Sequence, residues 1–539
     1  MTGVFSLTPR FSGVPPNGLR REAVLTAFVG VPGLACCGEQ KTVKTSKRRE
    51  TWCASCRSSC FSRSNRINRV PANLHSVSED LPDSIFDCFI GFMSAGPRRW
   101  QFEFRESGLT HFGGLVLIQR FCQKLRLRWL LQRDVQTQVR RTDYWPSDLF
   151  LALLYAVIAG LRRINKTEIL QYNGTFLTLL GLERFPDQST LRRFLKALPP
   201  SAIRQLVGLH DRLRRQWFNL PSTPGSLLLD LDSVVVTVYG KQQGARLGYN
   251  PRKKGRRSYH PLLCFEATRH EFWHGSLRPG DASANTGVVH FMRRCLAKLP
   301  VGWPRSRVRV RADSGFFGNK FISYLEACGC GYVIVAKMYS TLRRKVLSLR
   351  FQGNPDSIGT AEFEFQCAGW KEPRRFVAIR RPLPEDPSEA AQLTLLKDRR
   401  YAYQVMVTNL NLAPYRLWIF YVQRANIEKN IRELLYDYPL GKIPSDDWVA
   451  NVAFFQLLLL AFNLMHWFKR LCLPPEYLTA TLESVRTDFL VLPAKLIRRG
   501  GGSVLQLPRD YHHREEFISA WKKINALKPP RATRKRSNL

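Results

Sequence analysis

The chain has 539 residues, of which 83 are Lys or Arg and 42 are Asp or Glu, giving a formal charge of +41. Hydrophobic residues make up 44% and aromatic residues 12%, which is enough for buried cores and excludes a wholly disordered chain. So large a positive excess repels itself unless a polyanion neutralises it, which favours nucleic acid as the partner over a merely soluble basic protein.

Residues 1–95 are rich in Arg, Ser, Cys, Pro and Gly without apolar periodicity, so we expect a disordered N-terminal extension. Cys53, Cys56 and Cys60 have the spacing of half a zinc site, but no His or Cys pair follows at finger-like spacing, which disfavours zinc there. The cysteines after residue 95 lie among apolar neighbours and are expected to be reduced core residues. We also hypothesise that Met93 is the true start of the chain.

Residues 96–222 repeat apolar side chains every three or four positions, which predicts an all-helical domain. Within it, Pro186 and Asp187 are typical of a helix start. The helix that follows suits the recognition helix of a helix-turn-helix DNA-binding domain, although an ordinary amphipathic helix with a capped start fits equally well. Its candidate DNA-contacting residues are Ser189, Thr190, Arg192 and Arg193.

From Gly225 onward, strand-like runs alternate with helical patterns, which predicts an α/β region that begins with a three-strand meander. Further helices are expected at 286–299, 320–327 and 448–471, and strands at 308–312 and 332–336. The predicted units are a core at 223–339 and 401–472, a β-rich insertion at 340–400, and a C-terminal hairpin and helix with a basic tail at 473–539.

The longest apolar stretch, residues 452–464, is shorter than the roughly 18–20 residues of a membrane span. Asn463 and His466 interrupt its end, so we expect a buried helix and no membrane partner. The N-terminus lacks a charged segment followed by an apolar one, so export is not expected.

Three acidic residues stand out: Asp232 and Asp313 in strand-like runs, and Glu428 on a helix between basic residues. Phosphoryl transfer needs an activated water or 3′-hydroxyl and a stabilised leaving oxygen, and two Mg²⁺ ions about 3.5–4 Å apart provide both. Mg²⁺ takes oxygen ligands and retains several waters, so a few carboxylates from separate rigid elements suffice. These acids therefore predict a metal site that acts on a polyanion.

Each acid also has a simpler interpretation. Asp230 and Asp232 share one face of a strand and could end it in solvent, but the apolar runs on both sides favour Asp232 as a metal ligand and Asp230 as a partner behind it. Asp313 could form an ordinary Asp-Ser-Gly turn. Glu428 could belong to an i,i+4 ladder of salt bridges.

One helix face carries Tyr421, Arg424, Glu428 and Arg432, which are three, four and four residues apart. An apolar stripe beside them places Glu428 near the boundary of a core. Arg424 and Arg432 suit DNA phosphates, or the neutralisation of charge beside the metal ions.

The segments DLDS, RADSGFF and YVQRANIEKNIREL, in this order, resemble bacterial insertion-sequence DDE transposases of the subgroup with a Tyr-x2-Arg-x3-Glu signature, over about residues 105–525. The resemblance implies an RNase H-like mixed-sheet catalytic core, interrupted by the β-rich insertion and preceded by the all-helical DNA-binding domain. It implies that Asp232, Asp313 and Glu428 bind two Mg²⁺ ions, which Mn²⁺ can replace, and that Tyr421 and Arg424 contact DNA near the cleaved end. The usual Lys seven residues after the Glu is Leu435 here, and Arg432 is the candidate substitute.

The same resemblance places a basic loop beside the first acidic strand, and a dense positive loop of this kind suits a phosphate backbone. Its candidate DNA-contacting residues are Arg252, Lys253, Lys254, Arg256 and Arg257.

The expected function is Mg²⁺-dependent cleavage and strand transfer by a homodimer on double-stranded DNA, with the terminal inverted repeats and the target as substrates, in the bacterial cytoplasm at the nucleoid. A catalytically inactive relative that still binds DNA is the alternative. A structural RNA-binding protein of the ribosomal kind fits the charge but not the length, the apolar core or the three acids.

Overall fold

The structure is a computed structural model that describes residues 107–138, 143–182, 184–217, 225–354, 356–383 and 400–528. The predictions for residues 1–95, including Cys53, Cys56, Cys60 and Met93, lie outside the described residues, as does the basic tail after residue 528.

Fourteen strands are found in the described part of the chain. They are β1 (Leu109–Thr110), β2 (Leu227–Ser233), β3 (Val236–Thr237), β4 (Arg246–Leu247), β5 (Arg257–Tyr259), β6 (Leu262–Glu266), β7 (Glu271–Ser276), β8 (Val308–Ala312), β9 (Gly331–Val335), β10 (Gly359–Phe365), β11 (Arg374–Pro382), β12 (Tyr401–Thr408), β13 (Ala494–Arg499) and β14 (Gly502–Gln506).

The α-helices of the same part of the chain are α1 (Leu115–Lys124), α2 (Leu127–Asp134), α3 (Pro146–Ile158), α4 (Gly174–Leu180), α5 (Gln188–Ala197), α6 (Pro200–Trp217), α7 (Val288–Ala297), α8 (Asn319–Ala327), α9 (Ser340–Leu347), α10 (Pro414–Val422), α11 (Ala425–Tyr436), α12 (Trp448–Cys472), α13 (Leu482–Val485) and α14 (Arg514–Ala526). Short 3₁₀ turns lie at Ile164–Leu170, Arg305–Arg307, Ser314–Phe316 and Pro475–Leu478, and a π-helical turn at Arg486–Leu490.

An eight-stranded mixed sheet organises the fold, in the order β10-β11-β12-β9-β8-β2-β6-β7. The predicted meander is β2, β6 and β7, which pair antiparallel, while β8 and β9 run parallel to β2. An antiparallel meander followed by parallel strands on the far side of its first strand, with helices on both faces, is the RNase H-like core that the resemblance implied. The predicted fold class is confirmed.

Strand β2 shows how the sequence sets up this sheet. Leu227, Leu229 and Leu231 alternate along it and enter the apolar core on the side of α7 and α8. Because side chains of a strand alternate between faces, Asp230 and Asp232 both point to the opposite side. The strand therefore buries one face in apolar contacts and presents two carboxylates on the other.

The run after Asp232 does not continue as one strand. The continuous β-branched stretch was expected to form a single strand, but the chain leaves the sheet at Ser233 and forms β3, which joins β5 and β4 in a small separate sheet. Val236 and Val238 are buried in the core shared with the helical region. Their packing against the helices therefore ends β2 at Ser233, although the residues on both sides of the break favour strands equally.

The predicted insertion extends the sheet. β10 and β11 pair antiparallel with each other and, through β12, with β9. The segment expected to be β-rich also contains α9, which buries Leu342 and Val346 in the sheet core. The predicted C-terminal hairpin is β13 and β14, and Gly500 and Gly501 make its turn with positive φ angles of 57° and 78°.

Helix α12 covers the β7 edge of the sheet. The Asn463 side chain accepts a hydrogen bond from the Phe272 amide at 2.8 Å and donates one to the Phe272 carbonyl at 2.9 Å, and Gln456 donates to the Gly275 carbonyl at 2.9 Å. These amides satisfy backbone groups that an open edge would leave free. Among the described helices, α12 alone is long and apolar enough to cross a membrane, but it is mostly buried inside the protein, as expected of the predicted buried helix.

The helical region shares its core with α12. Apolar residues of α1 to α6 form one continuous cluster with residues of α11, α12 and α14. Helix α5 begins where predicted, because the Asp187 carboxylate accepts a hydrogen bond from the Ser189 amide at 2.6 Å. The short strand β1 precedes the helices and pairs with β13. The cysteines of the described part of the chain are free thiols, and all except the partly exposed Cys328 are buried.

Candidate active site

Two neighbouring parallel strands bring the first two acids together. Leu231 of β2 pairs with Ala312 of β8, so the next residues, Asp232 and Asp313, lie side by side at the same end of these two strands. The Asp313 side chain accepts a hydrogen bond from the Gly315 amide at 3.0 Å and thereby starts a short 3₁₀ turn. The turn is the one that the Asp-Ser-Gly sequence suggested, and it holds the carboxylate at the strand end.

The third acid, Glu428, lies on α11, and Arg424 connects it to strand β2. This arginine lies at the junction of α10 and α11, and 3% of it is exposed. Its Nη2 lies 3.0 Å from the Leu231 carbonyl and 3.2 Å from Asp232 Oδ2, and its Nη1 lies 3.6 Å from Glu428 Oε1. One guanidinium therefore bridges the first acidic strand and the acidic helix.

Burial and neighbouring carboxylates raise the pKa of two of the acids, Asp232 and Glu428. Burial raises the pKa of Asp232, Arg424 opposes this, and the neighbouring carboxylates of Asp313 and Glu428 add to the increase, so that the pKa reaches about 7. Burial likewise raises the pKa of Glu428, against Arg424 and together with Asp313. The site therefore concentrates more negative charge than a single arginine neutralises.

Tyr421 and Arg424 are buried among these acids. Burial raises the pKa of Tyr421 to about 12, with Arg424 opposing and Asp313 and Asp232 adding to the increase. Burial lowers the pKa of Arg424, but Asp232, Tyr421 and Asp313 outweigh it, and the pKa lies above its usual value. Arg424 Nε is buried and forms no hydrogen bond with the described residues.

A second buried ion pair lies directly behind the acids. Arg311 of β8 donates two parallel hydrogen bonds to Asp230 of β2, both at 2.7 Å, and the side chains are 1% and 0% exposed. Arg311 also donates to the backbone carbonyl of Phe420 in α10. The predicted partner behind Asp232 thus joins both acidic strands to the helix that carries Tyr421.

Oxygen donors of this kind suit a hard divalent cation. Among the residues that the structure describes, however, no three His, Cys, Asp or Glu side chains lie close enough together to hold a metal ion as they stand. The carboxylate oxygens of Asp232, Asp313 and Glu428 are donors of the kind that such an ion takes. If they bound one, the contact of Arg424 with Asp232 would have to loosen.

A family model of transposase DDE domains, group 1, matches residues 94–529, which contain all three acids. The chain belongs to this transposase family. No curated protein matches the chain.

Several solved structures of transposases are similar to the chain. A cryo-EM structure of the piggyBac transposase synaptic complex with hairpin DNA is 12% identical over 76% of this chain and 91% of that chain, with a TM-score of 0.35. The Mos1 transposase paired-end complex with the left transposon end is 12% identical over 51% and 74%, and a pre-cleavage Mos1 transpososome is 11% identical over 51% and 75%; both have a TM-score of 0.15. Scores this low add nothing to the family assignment, which depends on the family model.

The predicted DNA-contacting residues of this transposase fall into two groups. Tyr421 and Arg424 are buried at the acids. The surface group comprises Arg252, Lys253, Lys254, Arg256, Arg257, Arg432, Ser189, Arg192 and Arg193, which are exposed, and Thr190, which is half-buried. The basic loop is anchored by Asn250, whose side chain accepts a hydrogen bond from the Lys253 amide at 3.0 Å and donates one to Thr237 at 3.0 Å. Leu435, at the position of the family lysine, is half-buried.

Three residues near the acids were missed from the sequence. His260 Nε2 lies 3.0 Å from the Ser233 hydroxyl, burial lowers its pKa, and Asp313 opposes that change. Arg278 donates hydrogen bonds to the carbonyls of His260, at 3.0 Å, and of Ser283 and Thr286. In the sequence, Arg311 appears only as part of a basic strand. A lone histidine and two arginines carry no local signal, because their partners lie elsewhere in the chain.

Proposed function

We propose that this transposase is catalytically active and cleaves and rejoins DNA at the terminal inverted repeats of its own mobile element. One observation carries the proposal. The carboxylates of Asp313 and Glu428 raise the pKa of Asp232, and Asp313 raises the pKa of Glu428, around a single buried guanidinium within the part of the chain that the family model matches. Clustered carboxylates at a sheet edge destabilise the fold without a cation, so such a cluster points to a binding function.

Asp232, Asp313 and Glu428 would hold the divalent cations, Mg²⁺ in the first place. The ions, when bound, activate the attacking water or 3′-hydroxyl and stabilise the leaving oxygen. The chain's own residues prepare the site. Arg311 and Asp230 hold the two acidic strands in register with α10. Arg424 balances the charge of the carboxylates and, if cations replaced it there, would be free to neutralise a phosphate.

The exposed basic residues provide the DNA-binding surface. The loop at 252–257 carries five cations that form no ion pairs with the described residues and follows closely after the Asp232 strand. Such a loop neutralises backbone phosphates and releases their counterions. Helix α5 presents Arg192 and Arg193 on the opposite side of its buried Leu191 and Phe194. We propose a homodimer on the paired ends in the bacterial cytoplasm.

The deciding experiment is cleavage in vitro of a duplex that carries the element's own terminal repeat, with Mg²⁺ or Mn²⁺. Wild type is expected to cut, while Asp232→Ala, Asp313→Ala and Glu428→Ala each abolish cutting and retain DNA binding. Asp281→Ala is the matched control, because this carboxylate is exposed and, among the described residues, pairs only with exposed Arg246. Cleavage by any of the three alanine variants would disprove the assignment of the acids.

An inactive relative that only binds DNA is the second candidate. The observation that favours it is that no three His, Cys, Asp or Glu side chains of the described residues lie close enough together to hold an ion. It predicts that wild type binds the repeat with the same affinity as the alanine variants and never cuts, with either metal ion. Calorimetry with Mg²⁺ on the DNA complex separates the two candidates, because only the active enzyme gives a binding signal that Asp232→Ala removes.

A further inference from the structure

A cavity of about 360 Å³ opens between the helical region and the small sheet. Its walls are the end of α3 with the turn that follows it, the middle of α5, the end of β3 with the segment after it, loop 441–444 after α11, and Phe454 of α12. None of the three acids lines it. The cavity is therefore a separate feature from the candidate active site.

Its rim is cationic. Arg162, Arg163, Arg192 and Lys442 line the cavity, all four are exposed, and none forms an ion pair with the residues that the structure describes. The lining contains no Asp or Glu. Four cations without a counter-charge around one concave space favour an anionic ligand.

Its floor is apolar. Leu153, Ala156 and Val157 of α3 line the cavity together with Val238 and Phe454, and all five are buried. A phosphate alone would gain nothing from such a surface. An aromatic ring that packs flat on this floor would gain binding energy, because the apolar surfaces of the ring and of the floor are both removed from water.

Polar groups between the rim and the floor are available for hydrogen bonding. The Oε1 atom of Gln242 is buried and has no hydrogen-bond partner among the described residues. An amide oxygen in this state accepts readily from the exocyclic amine of a base. Tyr239 lies at the mouth with 74% of its surface exposed, where its ring is free to stack.

We propose that this cavity binds a nucleotide, with the base on the apolar floor and the phosphate at the cationic rim. The volume lies near the lower end of the roughly 300–1,000 Å³ of small-ligand pockets, which suits one nucleotide and excludes a duplex. The nucleotide comes either from the bound DNA, as an unpaired residue turned out of the helix, or from solution. The inference concerns binding only and does not depend on the proposed cleavage.

The first test uses the full-length chain and a ribose-labelled fluorescent AMP. Arg163→Gln with Lys442→Gln removes two rim charges, and the matched control, Lys166→Gln with Lys522→Gln, removes two exposed charges outside the lining. The rim variant is expected to bind about tenfold or more weakly, the effect of losing charge-assisted hydrogen bonds, and the control to bind as wild type. Unlabelled AMP should compete better than either adenosine or inorganic phosphate.

The second test uses a duplex with one unpaired 2-aminopurine and a fully paired duplex of the same sequence. If the nucleotide comes from DNA, the unpaired probe changes its fluorescence on binding, the paired probe does not, and the rim variant loses the change. Ala156→Leu, which fills the floor without altering charge, should lose it as well, with circular dichroism confirming that the variant is folded.

A response that the rim variant removes in either test, and that Ala156→Leu also removes in the second, supports the nucleotide site and identifies its source. The proposal is overturned if AMP and inorganic phosphate compete equally and both duplexes behave alike, since the rim would then bind only phosphate. It is also overturned if the rim variant behaves like its control. Loss of cleavage has no bearing on these outcomes, so failure of the proposed function remains distinguishable.

Discussion

Replacing Asp232 by Asn should stabilise the metal-free transposase at high pH and much less at low pH. The pKa of Asp232 is raised from 3.8 to about 7, so the folded state binds its proton more tightly than the unfolded state does. A raised carboxyl pKa gives stability that is present below the unfolded pKa and is lost as the pH rises through the folded pKa. Above pH 7 the wild type therefore carries a destabilising charge that Asn lacks.

The magnitude follows from the shift. About three pKa units at about 1.4 kcal/mol each mean that the Asp232 charge destabilises the fold by up to about 4 kcal/mol at pH 8. At pH 5 the destabilisation corresponds to only about 1.2 of those units. The substitution should therefore raise the free energy of unfolding by roughly 3 kcal/mol more at pH 8 than at pH 5. The contact with Arg424 is already included in the raised pKa of Asp232, so it adds no separate contribution to this difference. The side chain is only 15% exposed, so solvent screens the effect little.

Urea unfolding followed by the fluorescence of the 12 Trp residues, in EDTA at pH 5 and pH 8, measures the difference. Asp281→Asn is the control and should change stability by less than about 0.5 kcal/mol at either pH. Adding Mg²⁺ at pH 8 should stabilise the wild type and not the variant. An effect of Asp232→Asn that is equal at the two pH values, or more destabilising at pH 8, would refute the electrostatic reasoning.

Three further predictions concern other parts of the molecule. Arg311→Met should destabilise the fold by about 3–5 kcal/mol because it leaves Asp230 buried and unpaired, and the double variant Arg311→Met with Asp230→Leu should recover most of that stability. Urea unfolding of both variants measures the two effects. A double variant less stable than the single one would contradict the prediction. Asn463→Ala should cost about 1–3 kcal/mol by leaving the Phe272 amide and carbonyl unsatisfied, whereas Asn430→Ala, on the partly exposed face of α11, should cost far less, and hydrogen exchange at the Phe272 amide reports the difference. The double variant Lys253→Ala with Lys254→Ala should weaken binding to any duplex and make the negative slope of log affinity against log salt shallower by about 2. The matched control is Lys166→Ala with Lys522→Ala. An unchanged slope would mean that the loop does not contact DNA.

Elements with strong periodicity were predictable from the sequence. Strand β8 has its predicted bounds, because Val308 and Val310 alternate with Arg309 and Arg311. Helix α12 was expected to end at 471 and ends at Cys472. The break after Ser233 was not predictable, because β-branched residues continue through it and only packing against the helical region ends the strand.

The acids could be proposed from the sequence, but their surroundings could not. Spacing placed Arg424 one turn from Glu428, while its contact with the Leu231 carbonyl depends on how α11 packs on β2. Arg424 was expected to contact DNA or neutralise charge at the metal site, and in this structure it lies buried against Asp232 and Glu428. The pairs Arg311–Asp230 and His260–Ser233 join residues 81 and 27 positions apart, which no local pattern encodes.

The central position of β2 and β8 has a consequence for how such a chain can change over time. Two strands flank this pair on one side and four on the other, so a lengthened loop or an added hairpin at the periphery must alter several intervening backbone ladders before it disturbs the spacing of Asp232 and Asp313. Growth at the periphery therefore leaves that spacing undisturbed, and the hairpin of β10 and β11 lies at this periphery.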